Sequence, residues 1–509
     1  MMQTHDKTEA LPSLWDIAKS LGAMIPVAAM TGFPSGVSWA MGPYMALNFF
    51  AQRHTDLNPE EIHCELSMHA QYCQQAVLDD TRLWLVMAIV CPILHLVLLP
   101  AVGILSDAHG RYWLSLAYGS VVVLQSFVGL AFVLFNTSFY WHIALEPFVE
   151  NPITLVSVGS VLFAAMTCDR IDDPAARSIA FGMLAAVSLL ALILGSLLGT
   201  SITMKSAALV RAGSWALAFV FATVALPETL PPERRSRRSI TWRVLLPGVE
   251  LGVLWRTATR LRLLVLVILI SFLSAGWGCI SQTYFLFAMN LTEQDSYILS
   301  LVGSSSKAVI LGLVFRLLVL LLGEVGMIAV DILSGMTCIA IGIFLVTQRW
   351  QLMLSAFAFT GPANIALPMI AALKSSFVRA DEQGLMQASL NTVINIAASA
   401  GALVVGSIFD ATNRPLLQAG DLGAGINRSA LMVLIPLYLP ALLLLWRLRD
   451  ALQSEWTGTL DSPDLEAEQA AADTSSCAAA EQLALRSGSP ATRPGLADRR
   501  RAKAAAAPV

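Results

Sequence analysis

The chain has 509 residues, of which 56% are apolar and 13% are charged, and its mean hydropathy is +0.67. Soluble domains carry roughly 25% charged residues, so the composition excludes an ordinary soluble domain and indicates a membrane protein. The formal net charge of −3 offers no basic surface for nucleic acid. Residues 1–20 are polar and lack a short apolar core followed by a cleavage site, so the first membrane helix is expected to act as the insertion signal.

Apolar segments of about twenty residues, the length that crosses a membrane, recur in two sets of six. The first set is 23–50, 83–106, 113–135, 147–168, 181–204 and 208–227. The second set is 263–289, 297–315, 325–346, 351–373, 385–409 and 429–447. We therefore predict an all-α polytopic membrane protein with twelve transmembrane helices in two six-helix bundles. The least marked break is FRLLVLLLGEVG, between the eighth and ninth spans.

This count divides the chain into five segments. They are a cytoplasmic N-terminal tail (1–22), a first bundle (23–230), a cytoplasmic basic linker (231–262), a second bundle (263–449) and a cytoplasmic tail (450–509). In the linker, an apolar set that suits an interfacial helix comprises Trp242, Leu245, Leu246, Leu251, Leu254 and Trp255. The last segment is rich in Ala, Ser, Pro and Arg, a composition typical of disorder.

Basic residues set the expected orientation. With both termini in the cytoplasm, eighteen Lys and Arg residues lie on the inner side, Arg177, Arg260 and Lys374 among them. Seven lie on the outer side, Arg211 among the seven. The three glycosylation sequons, at Asn136, Asn290 and Asn427, then fall on outer loops. The sequence does not distinguish the plasma membrane from an organelle membrane.

The first outer loop, 51–82, contains Cys64 and Cys73. A disulfide between them is chemically reasonable outside the cytosol and would contribute about 2–3 kcal/mol; two free thiols remain the alternative. The seven cysteines include no CxxC pair and no zinc spacing, so no metal or other cofactor is expected.

A charged cluster follows the second span in the stretch GILSDAHGRYW. Gly103, Asp107, Gly110 and Arg111 form the pattern G-x-x-x-D-x-x-G-R, which resembles the signature of the major facilitator superfamily. Asp107 is placed to accept hydrogen bonds from the amides that begin the eleventh helix, near Gly384, where the helix dipole favours an anion.

Two glycines and a second carboxylate complete this expected network. Arg111 can reach Asp169 at the end of the fourth helix, while Gly103 and Gly110 permit close approach and a tight turn. The resemblance implies that the network is a latch that stabilises the state closed to the cytosol. A static basic anchor is the alternative.

Three further stretches carry the same resemblance: LPETL (226–230), CDRIDDPAARSIAFG (168–182) and VRADEQGLMQASL (378–390). The resemblance covers roughly residues 23 to 449. Among its groups, the chain is most similar to the tetracycline-resistance-like, hippocampus-abundant-transcript-like and proton-coupled-folate-transporter-like members, and the cysteine-bearing loop favours the last.

The chain also departs from the family pattern. Tyr112 stands where a second basic residue is usual, and in the second half Gly312 and Arg316 replace the Gly/Asp pair, so the acidic latch is missing there. In the fifth helix Ser196 stands where proton-antiport exporters usually have proline, which weakens a drug-exporter function. The neighbouring glycines, Gly195 and Gly199, are equally consistent with close helix packing.

Ionisable residues inside membrane spans suggest a solute site. Lys307, with Ser304 on the same helical face, would attract an anionic group; an ion pair with Asp331 is the alternative. Further substrate-binding candidates on helices that border the cavity are Gln282, Trp39, Asn364, Asn391 and Asn395. Asp331 and His95 are the proton-coupling candidates. Interhelical hydrogen bonding is the alternative for Asn391 and Asn395, and a buried, hydrogen-bonded ring is the alternative for His95.

The sequence therefore favours a secondary transporter that moves a small organic solute by alternating access, with proton coupling and facilitated diffusion both open. A non-transporting receptor or scaffold, and a proton-antiport drug exporter, are the alternatives. An enzyme is not expected, since no nucleophile–base pair, metal motif or phosphate loop is present. The expected partners are a small-molecule solute of anionic character and membrane lipids, with the protein acting as a monomer.

Overall fold

The computed structural model describes residues 12–56, 62, 71–135, 137–149, 158–236, 251, 254, 258–288, 293–376, 378, 382–419 and 428–456. Within these ranges the regular structure is helical, and no strand occurs. The described residues up to Leu448 belong to one compact unit. Arg449–Trp456, the end of the last helix, belong to a second unit.

Helices α1 to α8 make up the first half of the chain. They are α1 (Leu14–Leu21), α2 (Met24–Ala51), α3 (Gln71–His109), α4 (Arg111–Phe135), α5 (Phe139–Val149), α6 (Val158–Arg170), α7 (Pro174–Ser201) and α8 (Met204–Ala225). The second half contains α9 (Ala258–Ala288), α10 (Glu293–Val309), α11 (Phe315–Phe344), α12 (Arg349–Phe359), α13 (Ala366–Ser376), α14 (Gln383–Ala419) and α15 (Ser429–Trp456).

Eight helical segments in the described ranges are long and apolar enough to cross a membrane, and the bent pair α1–α2 makes a ninth if it is counted as one span. The all-α, multi-pass fold class is thus confirmed, whereas the count of twelve spans stays a prediction. The fourth predicted span corresponds to α5 and α6, and the tenth to α12 and α13.

Several helices extend beyond the predicted apolar segments. Helix α3 begins at Gln71, inside the predicted loop 51–82, and α9 begins at Ala258, inside the predicted linker 231–262. Helix α14 continues to Ala419, and α15 continues to Trp456, so the start of the predicted disordered tail is helical. Hydropathy marks the apolar stretch only, and a helix continues past it because its backbone hydrogen bonds do not depend on apolar side chains.

Two breaks interrupt helices of the second half. The break between the eighth and ninth predicted spans, which the sequence marks least clearly, lies at Gly323. Its φ of 65° and ψ of 179° end the helical run. The tenth predicted span breaks at the 3₁₀ turn Pro362–Asn364, between α12 and α13. A π-helical turn, Ile310–Val314, joins α10 to α11.

Helices α2 and α7 pack closely through small residues. A Cβ added at Gly36 would overlap the carbonyl of Leu192, and one added at Gly195 would overlap the carbonyl of Phe33. The hydroxyl of Ser196 donates to the carbonyl oxygen of Gly36 at 3.0 Å. Small residues at this interface let the two backbones approach, which is how helices associate in membranes.

Several sequence predictions lie outside the described residues. These are the sequons at Asn136, Asn290 and Asn427, the Cys64–Cys73 pair as a disulfide, and most of the linker's interfacial set. Of that set, Leu251 and Leu254 are described, and both are buried.

Candidate functional site

Asp107 joins the two halves of the chain at the end of α3. One oxygen of its carboxylate accepts a hydrogen bond from the amide of Gly384 at 2.9 Å, and the other accepts from the amide of Leu385 at 2.8 Å. Both amides belong to the first turn of α14, where helical N–H groups have no partner within the helix and the dipole favours negative charge. Asp107 is 2% exposed, so these bonds form away from water, where they are strong.

Arg111, the first residue of α4, holds two carboxylates. Its guanidinium lies 2.6 Å from Asp107 and 3.1 Å from Asp169 at the end of α6. It also donates to the hydroxyl of Ser106, and its side chain is fully buried. The structure thus brings together Asp107, Arg111 and Asp169, which we call the latch. The end of the bundle that carries them is the latch end.

Glycines make this contact possible. A Cβ at Gly103 would lie 2.7 Å from the carbonyl oxygen of Gly384 and 2.7 Å from the Cβ of Ala388. A Cβ at Gly384 would lie 2.5 Å from the Arg111 guanidinium and 2.7 Å from the Asp107 carboxylate. Gly110 turns the chain from α3 into α4 with a φ of 102°, a conformation that favours glycine.

Sequence reasoning missed the residues that brace the latch. Glu228, which follows α8, accepts hydrogen bonds from the amides of Arg111 at 2.9 Å and Tyr112 at 3.3 Å. Thr229 donates to Asp169 at 2.8 Å, and the Tyr112 hydroxyl donates to the carbonyl of Thr223 at 2.8 Å. The stretch LPETL was the available signal, but its separation in sequence from the latch residues hid the contact.

A second contact between the halves lies where the first turn of α7 meets the last turn of α13. Arg177 donates to the Ser375 hydroxyl at 2.5 Å and to the Ile171 carbonyl oxygen at 2.9 Å. Nearby, a Cβ at Gly182 would meet the ring of Phe315 at 3.0 Å, and one at Gly312 would meet Ala186 at 3.3 Å. None of these pairs contains a carboxylate side chain. This agrees with the sequence analysis, where Arg316 stands in the second half in place of the acidic residue of the motif.

Lys307 and Asp331 lie beside the break between α12 and α13. The Asp331 carboxylate accepts a hydrogen bond from the amide of Ala366, the first residue of α13, at 3.0 Å and interacts electrostatically with Lys307. The hydroxyl of Ser306, next to Lys307, accepts from the amide of Gly361 at 3.1 Å. Charged and polar groups of α10 and α11 therefore surround an interruption in a helix.

The other predicted site residues are dispersed. Asn395 and His95 are fully buried and lie 2.9 Å apart (Nδ2 to Nδ1), which makes a further link between α14 and α3. Asn391 donates to the carbonyl of Gln387 within its own helix at 3.0 Å. Ser304 is buried, and Trp39 is 42% exposed. The side chains of Gln282 and Asn364 lie outside the described residues.

A polar cluster in the first half was missed in the sequence analysis. Arg211, counted there among outer-side residues, is buried in α8 and donates to Gln125 at 3.4 Å. Gln125 in turn donates to Glu146, and the His142 ring lies 3.3 Å from the Gln125 carbonyl oxygen. Arg211 is two turns into α8, and Glu146, which interacts with it electrostatically, is 65 positions earlier in the chain, so the span assignment alone gave no sign of the cluster. In the described part of the chain, no group of three or more His, Cys, Asp or Glu residues is arranged to hold a metal ion.

No family model and no curated protein sequence matches the chain. Solved structures do match. The human organic anion transporter MFSD10 (TETRAN) is 20% identical, with a TM-score of 0.61 over 85% of this chain and 100% of that one. A bacterial homologue of the iron transporter ferroportin, in an outward-facing state, is 12% identical, with a TM-score of 0.57 over 85% and 99%. The nucleoside transporter NupG is 12% identical, with a TM-score of 0.50 over 84% and 98%. Together with the helix pattern, these likenesses show that the chain has the major facilitator fold.

Proposed function

We propose that the chain is a secondary transporter that moves a small organic solute with an anionic group by alternating access. The observation that carries the proposal is the latch, because it joins the halves through bonds that can break without unfolding either half. Asp107 belongs to the first half and its amide partners to the second. Opening exchanges these hydrogen bonds for hydrogen bonds to water, so breaking the two costs a few kcal/mol, about 1.5–3 kcal/mol each, rather than their full strength away from water.

The latch end is closed in this structure. Besides Asp107, the side chain of Gln387 on α14 contacts Cys168 on α6 at 3.7 Å, and Arg177 on α7 bonds Ser375 on α13. Three pairs of helices from opposite halves therefore meet at one end. One of the structures with the same fold is in an outward-facing state. We assign the present conformation to the same state, with the latch end facing the cytoplasm.

The solute site is proposed at Lys307. Interrupted membrane helices mark solute and ion sites in secondary transporters, because the interruption frees backbone groups to act as ligands. Here the interruption at Pro362–Asn364 lies beside Ser306 and Asp331. Ser306 directly precedes Lys307 in the sequence. A cation inside the membrane favours an anionic solute group. An organic anion transporter is among the structures with this fold, which supports the same class.

Proton coupling is proposed at Asp331. Asp331 and Lys307 interact electrostatically, so the Asp331 carboxylate is the counter-charge of Lys307 within the protein. A proton that binds Asp331 removes this negative charge. The lysine is then free to attract the anionic group of the solute. Proton and anion thus bind together, which is the requirement for symport.

The test uses the purified protein and a panel of organic anions, with thermal unfolding as the readout of binding. An anion that raises the unfolding temperature of the wild type should have no effect on Lys307→Met. The control Lys19→Met, at an exposed position of α1, should respond like the wild type. The same anion should enter proteoliposomes faster under an inward proton gradient, and Asp331→Asn should remove that dependence. An equal thermal response in Lys307→Met would exclude Lys307 from the site.

A further inference from the structure

Three cations are buried at the latch end, on helices α7, α9 and α13. Arg177 is 5% exposed, Arg260 is 9% exposed and Lys374 is not exposed at all. Each of these side chains was counted in the sequence as an inner-side basic residue, which would be solvated. Their burial instead concentrates positive charge where the two halves of the chain meet.

Lys374 has no hydrogen-bond partner for its ammonium nitrogen in the described part of the chain. Among the described residues, the charged group that acts on it is another cation, Arg260. A buried ammonium without a counter-ion is costly, because the loss of hydration is not offset by any attraction. An anion beside Lys374 would supply the hydrogen bonds that its ammonium lacks and would offset the repulsion from Arg260.

Arg177 bonds Ser375, the residue that follows Lys374 in α13. Its guanidinium is held by neutral groups. Its guanidinium donates to the carbonyl oxygens of Ile171, Cys168 and Asp172 and to the Ser375 hydroxyl. None of these acceptors is a carboxylate. The arrangement contrasts with the latch, where Arg111 is matched by two carboxylates. The hydrogen bonds named here therefore leave the positive charge of Arg177 unmatched by a carboxylate.

We propose that Lys374, Arg260 and Arg177 form a binding site for a phosphate-type anion at the latch end. Guanidinium groups match the oxygens of phosphate in pairs, and the ammonium adds a point charge, so three cations suit a dianion better than a single carboxylate. The ammonium of Lys374 is sealed in the closed state, and α13 packs on α7 through Ser375 and Arg177. The anion therefore enters when α7 and α13 part, and its binding favours the state that is open at the latch end.

The anion can be a soluble phosphate or the headgroup of a phospholipid, and two arms of one experiment distinguish them. The full-length protein is placed in phosphatidylcholine nanodiscs. In one arm inorganic phosphate replaces chloride at constant ionic strength, and in the other phosphatidic acid is added to the nanodisc. Binding is measured as a shift in thermal unfolding, and opening as the rate at which a maleimide labels Cys168, which is 3% exposed in the closed state.

We expect at least one arm to shift unfolding and to accelerate Cys168 labelling in the wild type. Lys374→Met should weaken the apparent affinity about tenfold or more, the loss of one hydrogen bond to a charged group, whereas Lys374→Arg should retain it. Lys205→Met, at an exposed lysine of α8, should behave like the wild type.

A wild type that responds in neither arm, or a Lys374→Met variant that responds equally, would overturn the proposal. An unresponsive wild type together with a more stable Lys374→Met variant would identify Lys374 as a buried neutral amine. If Lys374→Met does not fold, Arg260→Met decides between the outcomes, because it removes the second cation and must weaken the response as well. The solute site is tested at Lys307 with organic anions, so either proposal can fail without the other.

Discussion

Replacement of Asp107 by asparagine should open the latch end without unfolding either half. The carboxylate accepts two amide hydrogen bonds from the opposite half, at 2.9 and 2.8 Å. A bond to a charged group contributes about 1.5–3 kcal/mol and a neutral one about 0.5–1.5 kcal/mol. Asparagine keeps one neutral acceptor, so closure loses roughly 2–4 kcal/mol. The ratio of open to closed molecules should then rise about a hundredfold.

Native cysteines report this change. Cys168 lies at the contact between α6 and α14, where Gln387 covers its sulfur. Cys91 is buried within the first half and is also a free thiol. With a maleimide and peptide mapping by mass spectrometry, Cys168 in Asp107→Asn should be labelled about a hundred times faster than in the wild type. Cys91 should be labelled at the same slow rate in both proteins.

The control is Asp173→Asn. Asp173 caps α7 by accepting a hydrogen bond from the amide of Ala176 at 2.7 Å, so asparagine there also replaces a charged acceptor by a neutral one, but within one half. Its effect on Cys168 should be small. Unchanged labelling of Cys168 in Asp107→Asn would refute the assignment of Asp107 to the latch. Parallel acceleration at Cys91 would show that the substitution unfolds the protein rather than opens it.

Two further substitutions test the packing. Gly384→Ala should also accelerate Cys168 labelling, because its Cβ would lie 2.5 Å from the Arg111 guanidinium; Gly278→Ala, where a Cβ meets nothing within 4 Å, should not. Equal labelling in the two variants would contradict the close approach of α3 and α14. Gly36→Leu should lower the unfolding temperature, because overpacking costs about 1–3 kcal/mol or more where α2 meets α7. Gly213→Ala, at an open position of α8, should leave it unchanged, and a Gly36→Leu protein as stable as this control would exclude the tight interface.

Much of the fold follows from hydropathy, because each membrane helix needs its own apolar stretch. The same logic explains what was missed. Helix breaks depend on backbone geometry at a few residues, such as Gly323 and the turn Pro362–Asn364, which hydropathy does not register. Polar helix extensions, such as the first turns of α3, carry no apolar signal either.

The residues of the candidate site could be predicted only in part, for a related reason. Asp107 and Arg111 share one short motif, so their expected contacts with Gly384 and Asp169 could be named in advance. Glu228 braces the same motif from 117 positions away, and no periodicity connects residues at that distance. Burial is also hidden from sequence. Lys374 reads as a solvated end of a helix, yet the structure encloses it.

Under alternating access, the two halves must separate at the latch end for solute to cross. Gln387→Cys, opposite the native Cys168, allows the halves to be joined by a short, reducible bifunctional thiol reagent. The measurement is counterflow, in proteoliposomes, of the organic anion that shifts thermal unfolding most. Crosslinking should stop counterflow, and reduction should restore it. Saturable counterflow that continues with the crosslink intact would contradict alternating access through this gate.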